Sequence, residues 1–353
     1  MKKPKGMSRR EFFAAGAGVA GGVIFSAGAL SASGPNPSRG IVRAAGTGLA
    51  QAAGRAGKSR VALVKTDSRA EGVKKCLALL NINPFKGKSV LVKPNFNTSD
   101  ETPGSTHTET LKAILERARE MGAKGLTIGD RSGPEPTAQV LDKKGIPALA
   151  GSFDATLLNF DELGAEGYVK VVPPGSHWKD GFLIAKPVVG AECLVSTCCL
   201  KTHQYGGVFT MSLKNSVGTV PRKGTTLMRE LHSSPDQRRM IAEINYAYKP
   251  ALIVLDGLVA FVDQGPMDGP RKDAGVFLAG TDRVAVDAVG VAILKELGSN
   301  DAIMKPAIFA QEQIARAVEL GLGVSSAADI VIATPDAASE AYAAKIRAIL
   351  AAG

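Results

Sequence analysis

From Arg60 onward, short apolar runs alternate with stretches of helical spacing, and each change of period marks a new element. Arg60–Lys65 is a β-branched run of strand type, and Ala70–Leu80 carries a helical pattern. Ser89–Val92 predicts a strand, Thr108–Met121 a helix stopped by Gly122, and Gly125–Gly129 a further strand. Strands alternating with helices favour a parallel sheet with crossover helices. The middle of the chain differs. Thr156–Phe160, Tyr168–Val172 and Phe182–Ala185 are short strand-like runs separated by Gly and Pro, suited to antiparallel pairing. Glu192–Leu200 reads as a buried strand and Arg238–Tyr248 as a helix ending before Pro250. Ala251–Leu255 and Val276–Ala279 predict strands. Arg283–Leu297 and Pro306–Leu320 predict helices closed by Gly298 and Gly321, before a last strand at Ala328–Ala333 and a last helix at Ser339–Leu350. The expected fold class is α/β: a mostly parallel central sheet flanked by helices, with a short antiparallel insertion mid-chain, all in one domain over residues 60–353.

The first 33 residues follow other rules. Lys2, Lys3, Lys5, Arg9 and Arg10 precede an uncharged, glycine-diluted run from Phe12 to Ser38, the order of a targeting peptide. Ser8-Arg9-Arg10-Glu11-Phe12-Phe13 resembles a twin-arginine export signal, with Ala14 departing from the basic residue that often follows the aromatic pair. Adjacent guanidiniums present rigid donor forks that lysine does not reproduce. Ser31-Ala32-Ser33 offers small residues for cleavage, and residues 34–59 read as a flexible linker. The resemblance implies a twin-arginine translocase partner, a periplasmic or other extracytoplasmic location, and membrane contact only through an uncleaved signal.

Composition narrows the function classes. The formal charge of +10 includes +4 from residues 1–33, so the rest carries a mild +6. Basic residues form no long run and aromatics make up only 5%, which argues against nucleic-acid binding and suits a site for a small anion. Four cysteines, with no Cys-x-x-Cys, make neither a disulfide scaffold nor an iron–sulfur cluster held by this chain alone. Cys198 and Cys199 fall on opposite faces of a strand, which opposes joint chelation and suits core packing.

Ligands of open α/β sheets bind beyond the carboxyl ends of the strands, so the residues ending each apolar run are the candidates. These are Lys93 and Asn95, Asp130, Lys201 and His203, and Asp256. If their strands are parallel, all reach one crevice. The segment after Lys201 adds Gly206-Gly207, Thr210, Lys214, Asn215 and Gly218, a glycine-rich cationic stretch suited to phosphate or carboxylate but without P-loop spacing. Lys93, Asn95, Lys214, Asn215 and Gly218 are the expected substrate-binding residues. His203, with Lys201, is the expected acid–base centre. Asp130, Asp256 and Asp287 are candidate ligands for a divalent metal such as Mg²⁺, whereas Asp282 has the position of a helix cap.

Leu91-Val92-Lys93-Pro94-Asn95, Ile128-Gly129-Asp130, Leu200-Lys201-Thr202-His203 with Thr210 through Lys214-Asn215 and Gly218, Met267-Asp268-Gly269-Pro270, and Asp282-Arg283-Val284-Ala285-Val286-Asp287 occur in order. Together they resemble the family catalogued as domain of unknown function 362, over roughly residues 60–300. Some members carry appended ferredoxin-type motifs that this chain lacks, and the resemblance implies no general activity. Two functions follow from the residues. One is an exported enzyme acting on a small anionic substrate, with metal assistance in one version. The other is an exported non-catalytic ligand-binding or accessory protein of a redox complex. Replacing Arg9 and Arg10 by lysine is expected to retain the protein in the cytoplasm, read by cell fractionation; unchanged export contradicts the signal reading.

Overall fold

In the computed structural model, which describes residues 57–353, strand β1 (Ser59–Lys65) sets the pattern of the sheet. Val61 and Leu63 enter one core while Ala62 and Val64 enter another, and all four are fully buried. A strand buried on both faces needs continuous apolar sequence rather than alternation. The twin-arginine segment and nearly all of the 34–59 stretch lie outside the described residues.

The other strands are β2 (Ser89–Lys93), β3 (Gly125–Asp130), β4 (Ala155–Asn159), β5 (Tyr168–Val171), β6 (Phe182–Ala185), β7 (Cys193–His203), β8 (Val208–Thr210), β9 (Leu252–Phe261), β10 (Arg271–Gly280) and β11 (Ile330–Ala333). Nine form one sheet in the order β11-β1-β10-β9-β7-β2-β3-β4, with β8 paired to β7. β10 runs antiparallel to both β1 and β9, and β8 antiparallel to β7; every other pairing in this sheet is parallel. The mostly parallel α/β sheet expected from the sequence is therefore present. The antiparallel insertion is smaller than expected: it consists of β5 and β6 alone, while β4 joins the main sheet as a parallel edge strand.

The helices are α1 (Arg69–Leu80), α2 (Thr108–Glu120), α3 (Thr137–Lys143), α4 (Ile146–Ser152), α5 (Lys186–Val189), α6 (Ser212–Asn215), α7 (Leu227–Ser233), α8 (Gln237–Ile244), α9 (Arg283–Glu296), α10 (Asp301–Met304), α11 (Glu312–Glu319) and α12 (Ala337–Ala352). Residues of α1–α4 fill the core on one face of the sheet. On the other face, α9, α11 and α12 cover one half, and α7, α8 and the β5–β6 pair cover the rest. The stretch expected as one helix from Pro306 to Leu320 is a 3₁₀ turn, Ile308–Ala310, followed by α11. No helix among the described residues is long and apolar enough to cross a membrane.

Strand order locates the crevice. From β2 the chain moves outward through β3 to β4, then returns to lay β7 on the other side of β2 and moves the opposite way to β9. β2 and β7 thus flank a topological switch point, and loops leaving their carboxyl ends diverge to leave space for a ligand.

Close helix–sheet packing elsewhere depends on Gly72 of α1, where a Cβ would lie 2.6 Å from ring atoms of fully buried Phe277. Overpacking costs about 1–3 kcal/mol and exceeds the roughly 1 kcal/mol that alanine gains in helix propensity, because the contacted atoms are a ring root with no room to swing. Gly72→Ala is expected to lower the urea midpoint; a raised midpoint would show that the ring yields freely.

Candidate functional site

Lys93 ends β2, and its ammonium is buried at the switch point. Its Nζ donates to Asp130 Oδ1 at 2.6 Å, to Asn215 Oδ1 at 2.9 Å and to the Pro94 carbonyl at 2.8 Å, which engages all three of its N–H groups. Asp130, at the end of β3, also accepts the Phe96 N–H on Oδ2 and the Arg131 N–H on Oδ1, both at 2.8 Å. Burial lowers the Lys93 pKa and raises that of Asp130; the mutual charge and hydrogen bond oppose both shifts. Asn215 completes the clamp, its Nδ2 donating to Ser196 Oγ at 2.9 Å. Gly218 is required here, since a Cβ would lie 2.7 Å from Lys93 Nζ and 2.8 Å from Asp130 Oδ1.

Around this pair opens a cavity of about 550 Å³, within the usual size for small-molecule sites. Seven of the sequence candidates line it: Lys93, Asn95, Asp130, His203, Lys214, Asn215 and Gly218. They differ in what they can offer. Lys93 and Asn215 are engaged inside the protein, and Gly218 makes room for them. Asn95 is buried with Oδ1 unpartnered, and so is Thr210 with its Oγ1, among the described residues. Lys214 has no hydrogen-bond acceptor among the described residues. Burial pushes its pKa down to about 7, helped by the charges of Lys201 and Arg131.

His203 accepts the Gly207 N–H on Nδ1 at 3.3 Å, so its proton sits on Nε2. Burial first, then Lys214, His232 and Lys201, hold its pKa well below the ordinary value. His203 is thus a neutral hydrogen-bond donor at neutral pH. The acid–base role expected of it requires a charge that this environment disfavours. His203 and Lys214 converge on Gly207, where a Cβ would lie 2.8 Å from His203 Nδ1 and 2.7 Å from Lys214 Cε.

Lys201, Asp256 and Asp287 do not line the cavity. Lys201 is fully buried, donates to the carbonyls of Gly104 at 2.5 Å and Pro266 at 3.2 Å, and has its pKa lowered to about 8 by burial. Asp256 was expected at a strand end, but β9 continues five residues further and leaves it in mid-strand opposite Cys199 and Phe277. There its Oδ2 accepts from Arg69 Nε at 3.0 Å and Thr110 Oγ1 at 2.6 Å. Asp287, inside α9, accepts the Ser212 and Leu213 N–H groups at 2.8 and 2.9 Å and so caps α6. Asp282 caps α9 through the Val284 and Ala285 N–H groups. As arranged, Asp130, Asp256 and Asp287 do not fit one divalent ion, and no cluster of three metal-ligating side chains occurs among the described residues. Cys193, Cys198 and Cys199 are buried and unbonded to one another.

The sequence reading missed the cations of the cavity wall. Arg131 is buried and donates Nε to the Val220 carbonyl at 3.0 Å and Nη1 to the Ser132 carbonyl at 2.9 Å; burial lowers its pKa to about 10. Arg222 pairs with Asp161 and bonds the Gly133 and Glu135 carbonyls. Arg229, exposed on α7, has no partner among the described residues and also lines the cavity. Arg131 directly follows a flagged strand end and was readable on that ground. Arg222 and Arg229 flank a loop and a short helix without periodicity.

A mostly parallel α/β sheet with a cation-lined cavity at its switch point defines the class of this protein. The chain belongs to the family described as domain of unknown function (DUF362), whose model matches residues 90–292. It is 28% identical to a thylakoid-associated protein of Synechocystis sp. over 255 residues, covering 70% of this chain and 75% of that protein. Among solved structures it is similar to the lactate racemase apoprotein from Thermoanaerobacterium thermosaccharolyticum. That likeness has a TM-score of 0.41 and 18% identity, and covers 63% of this chain and 54% of that one, about half of the racemase's length.

Breaking a buried ion pair by removing one partner costs about 3–5 kcal/mol, because the remaining charge is left uncompensated. Lys93→Met and Asp130→Asn are each expected to destabilise on that scale, and the double variant by less than their sum, read from denaturant midpoints. Additive losses would show that the two groups do not stabilise each other.

Proposed function

We propose that the protein is an exported enzyme acting on a small anionic substrate, bearing a phosphate or carboxylate, bound in the cavity at the β2–β7 switch point. One observation carries this reading. Five cations line the cavity; Lys93 is paired with Asp130 and Arg222 with Asp161, which leaves Arg131, Lys214 and Arg229 without a carboxylate partner among the described residues. In a site partly screened from water, such an imbalance favours an anion strongly. Lys214 and Arg229 have uncommitted donors for it. His203 adds a neutral N–H, and Asn95 and Thr210 add buried polar atoms for the uncharged part of the ligand.

His203 is proposed as the donor to an oxygen that gains negative charge during reaction, because a neutral imidazole with its proton fixed on Nε2 polarises a carbonyl without giving up that proton. The rest of the reading is the export route, through the twin-arginine translocase to the periplasm or another extracytoplasmic space, on the residues Arg9 and Arg10. The alternative, a non-catalytic ligand-binding or accessory protein of a redox complex, uses the same cavity. It is favoured by the full engagement of Lys93 and Asp130, which leaves no carboxylate free to move protons. His203→Ala separates the two: loss of turnover with retained anion affinity supports the enzyme.

Sulfate, whose charge is fixed across the range, tests the anion site by calorimetry. Lys214 is cationic below its pKa of about 7 and neutral above it. Sulfate affinity is therefore expected to fall about tenfold between roughly pH 6 and pH 8. Lys214→Met is expected to weaken binding at the lower pH by about ten- to a hundredfold, the worth of a charged hydrogen bond, and to flatten the profile. An unchanged affinity and profile in the variant would remove Lys214 from the site.

A further inference from the structure

The residue that the anion reading leaves least explained is Lys214 itself. A buried lysine is ordinarily paired. Lys93 is paired with a carboxylate, and Lys201 is held by two carbonyls. Lys214 is partly buried, lines the cavity, and has neither among the described residues. Burial first, then the charges of Lys201 and Arg131, disfavour its charge. Lys201 and His203 face it from β7 and Arg131 from the end of β3; α7 brings Arg229 and His232 to the same cavity, and the one acid there is neutralised by Lys93. A desolvated lysine among cations is the arrangement that turns an ammonium into an amine nucleophile.

We propose that Lys214 forms a reversible imine with a small carbonyl-bearing carboxylate of the α-keto acid class, bound in the cavity with its carboxylate toward Arg229. The inference rests on the anion reading above and deepens it by naming the substrate class. The Nζ lone pair attacks the keto carbon, forming the C–N bond while the carbonyl electron pair moves onto oxygen. The nitrogen gives up its two protons, both end on that oxygen, and water leaves as the C=N bond forms. No oxidant or reductant is consumed. His203 lies beside the Lys214 stem, Nδ1 of its ring and Cε of that stem converging on Gly207, and in this step its Nε2–H would stabilise the oxygen as charge develops. Thr210 Oγ1 and Asn95 Oδ1, buried without partners among the described residues, can accept hydrogen bonds from the departing water. The apolar part of the wall, Phe96, Val217 and Met228, limits hydration of the amine.

The amine is about half neutral at pH 7, with its pKa near 7 against an ordinary 10.5. An ordinary lysine is neutral there to about one part in a few thousand. The test incubates the full chain with pyruvate or glyoxylate and sodium cyanoborohydride at neutral pH, then locates the reduced adduct by peptide mapping. A parallel titration follows thermal stabilisation by sulfate. The expected result is one adduct per chain at Lys214, favoured on the order of a thousandfold over ordinary exposed lysines, with sulfate slowing its formation. Labelling should rise toward a plateau above about pH 7, opposite to the sulfate profile. Lys214→Arg should abolish the adduct while retaining sulfate stabilisation, which also reports that the variant folds. Labelling spread over surface lysines, or none at Lys214 while sulfate still stabilises, overturns the imine and leaves the anion site standing. No adduct and no stabilisation by sulfate overturns both.

Discussion

The buried ion pair between Lys93 and Asp130 is the constraint on which the rest of the site depends. Taking both charges out of water costs several kcal/mol per ion, and only near-ideal geometry with every remaining bond satisfied offsets that cost. The requirement is met from four directions. β2 and β3 bring the two charges together by parallel pairing, α6 supplies Asn215, the turn after β2 supplies the Pro94 carbonyl and the Phe96 N–H, and Gly218 lets the backbone pass without a side chain. Because each contact comes from a different element, the pair fixes how those elements meet. Lys214 precedes Asn215 directly, so its place in the cavity follows from the clamp. Asp287 anchors the same short helix from the other side through two backbone N–H groups. Several family-motif residues therefore act as scaffolding for a few that reach the ligand space.

With the single lining acid consumed by that pair, the cavity is left with an excess of cations. Arg131 and Arg222 spend their donors on carbonyls of the wall and on Asp161. Asp161 offsets the charge of Arg222, whereas the charge of Arg131 remains while its hydrogen bonds are used, which sets a positive field without filling the space. Lys214 sits in that field with no counter-charge of its own among the described residues. An incoming anion favours its ammonium, and in the ligand's absence about half of it is the neutral amine at pH 7. Both behaviours arise from one electrostatic arrangement.

Much of the fold was legible because strands buried on both faces have unbroken apolar runs: β1, β2, β3, β7 and the core of β9 stood out on that basis. The direction of β4 was not legible, since its five residues look alike in a parallel edge and an antiparallel hairpin. Asp256 was misplaced for a related reason. A charged residue after Leu252–Leu255 resembles a strand end, but Arg69 and Thr110 satisfy the carboxylate within the sheet and the strand runs on to Phe261. Asp287 stands out in the sequence as a candidate metal ligand because it falls inside a helix rather than at its cap, and the group it does hold, the start of α6, is far away in sequence. The candidates that line the cavity were found by one rule, that ligands gather at the carboxyl ends of parallel strands. The cations that rule missed, Arg222 and Arg229, lie beside a segment with no apolar period to anchor it.

The central claim is that the switch-point cavity is an anion site organised around the Lys93–Asp130 pair. A crystal structure grown with selenate, whose anomalous scattering marks its position, tests it most directly. The expected anomalous peak lies within hydrogen-bond reach of Lys214 and Arg229, with Lys93 still bonded to Asp130 and Asn215. A cavity without selenate, or an ion bound by Lys93 with the pair broken, would contradict the account.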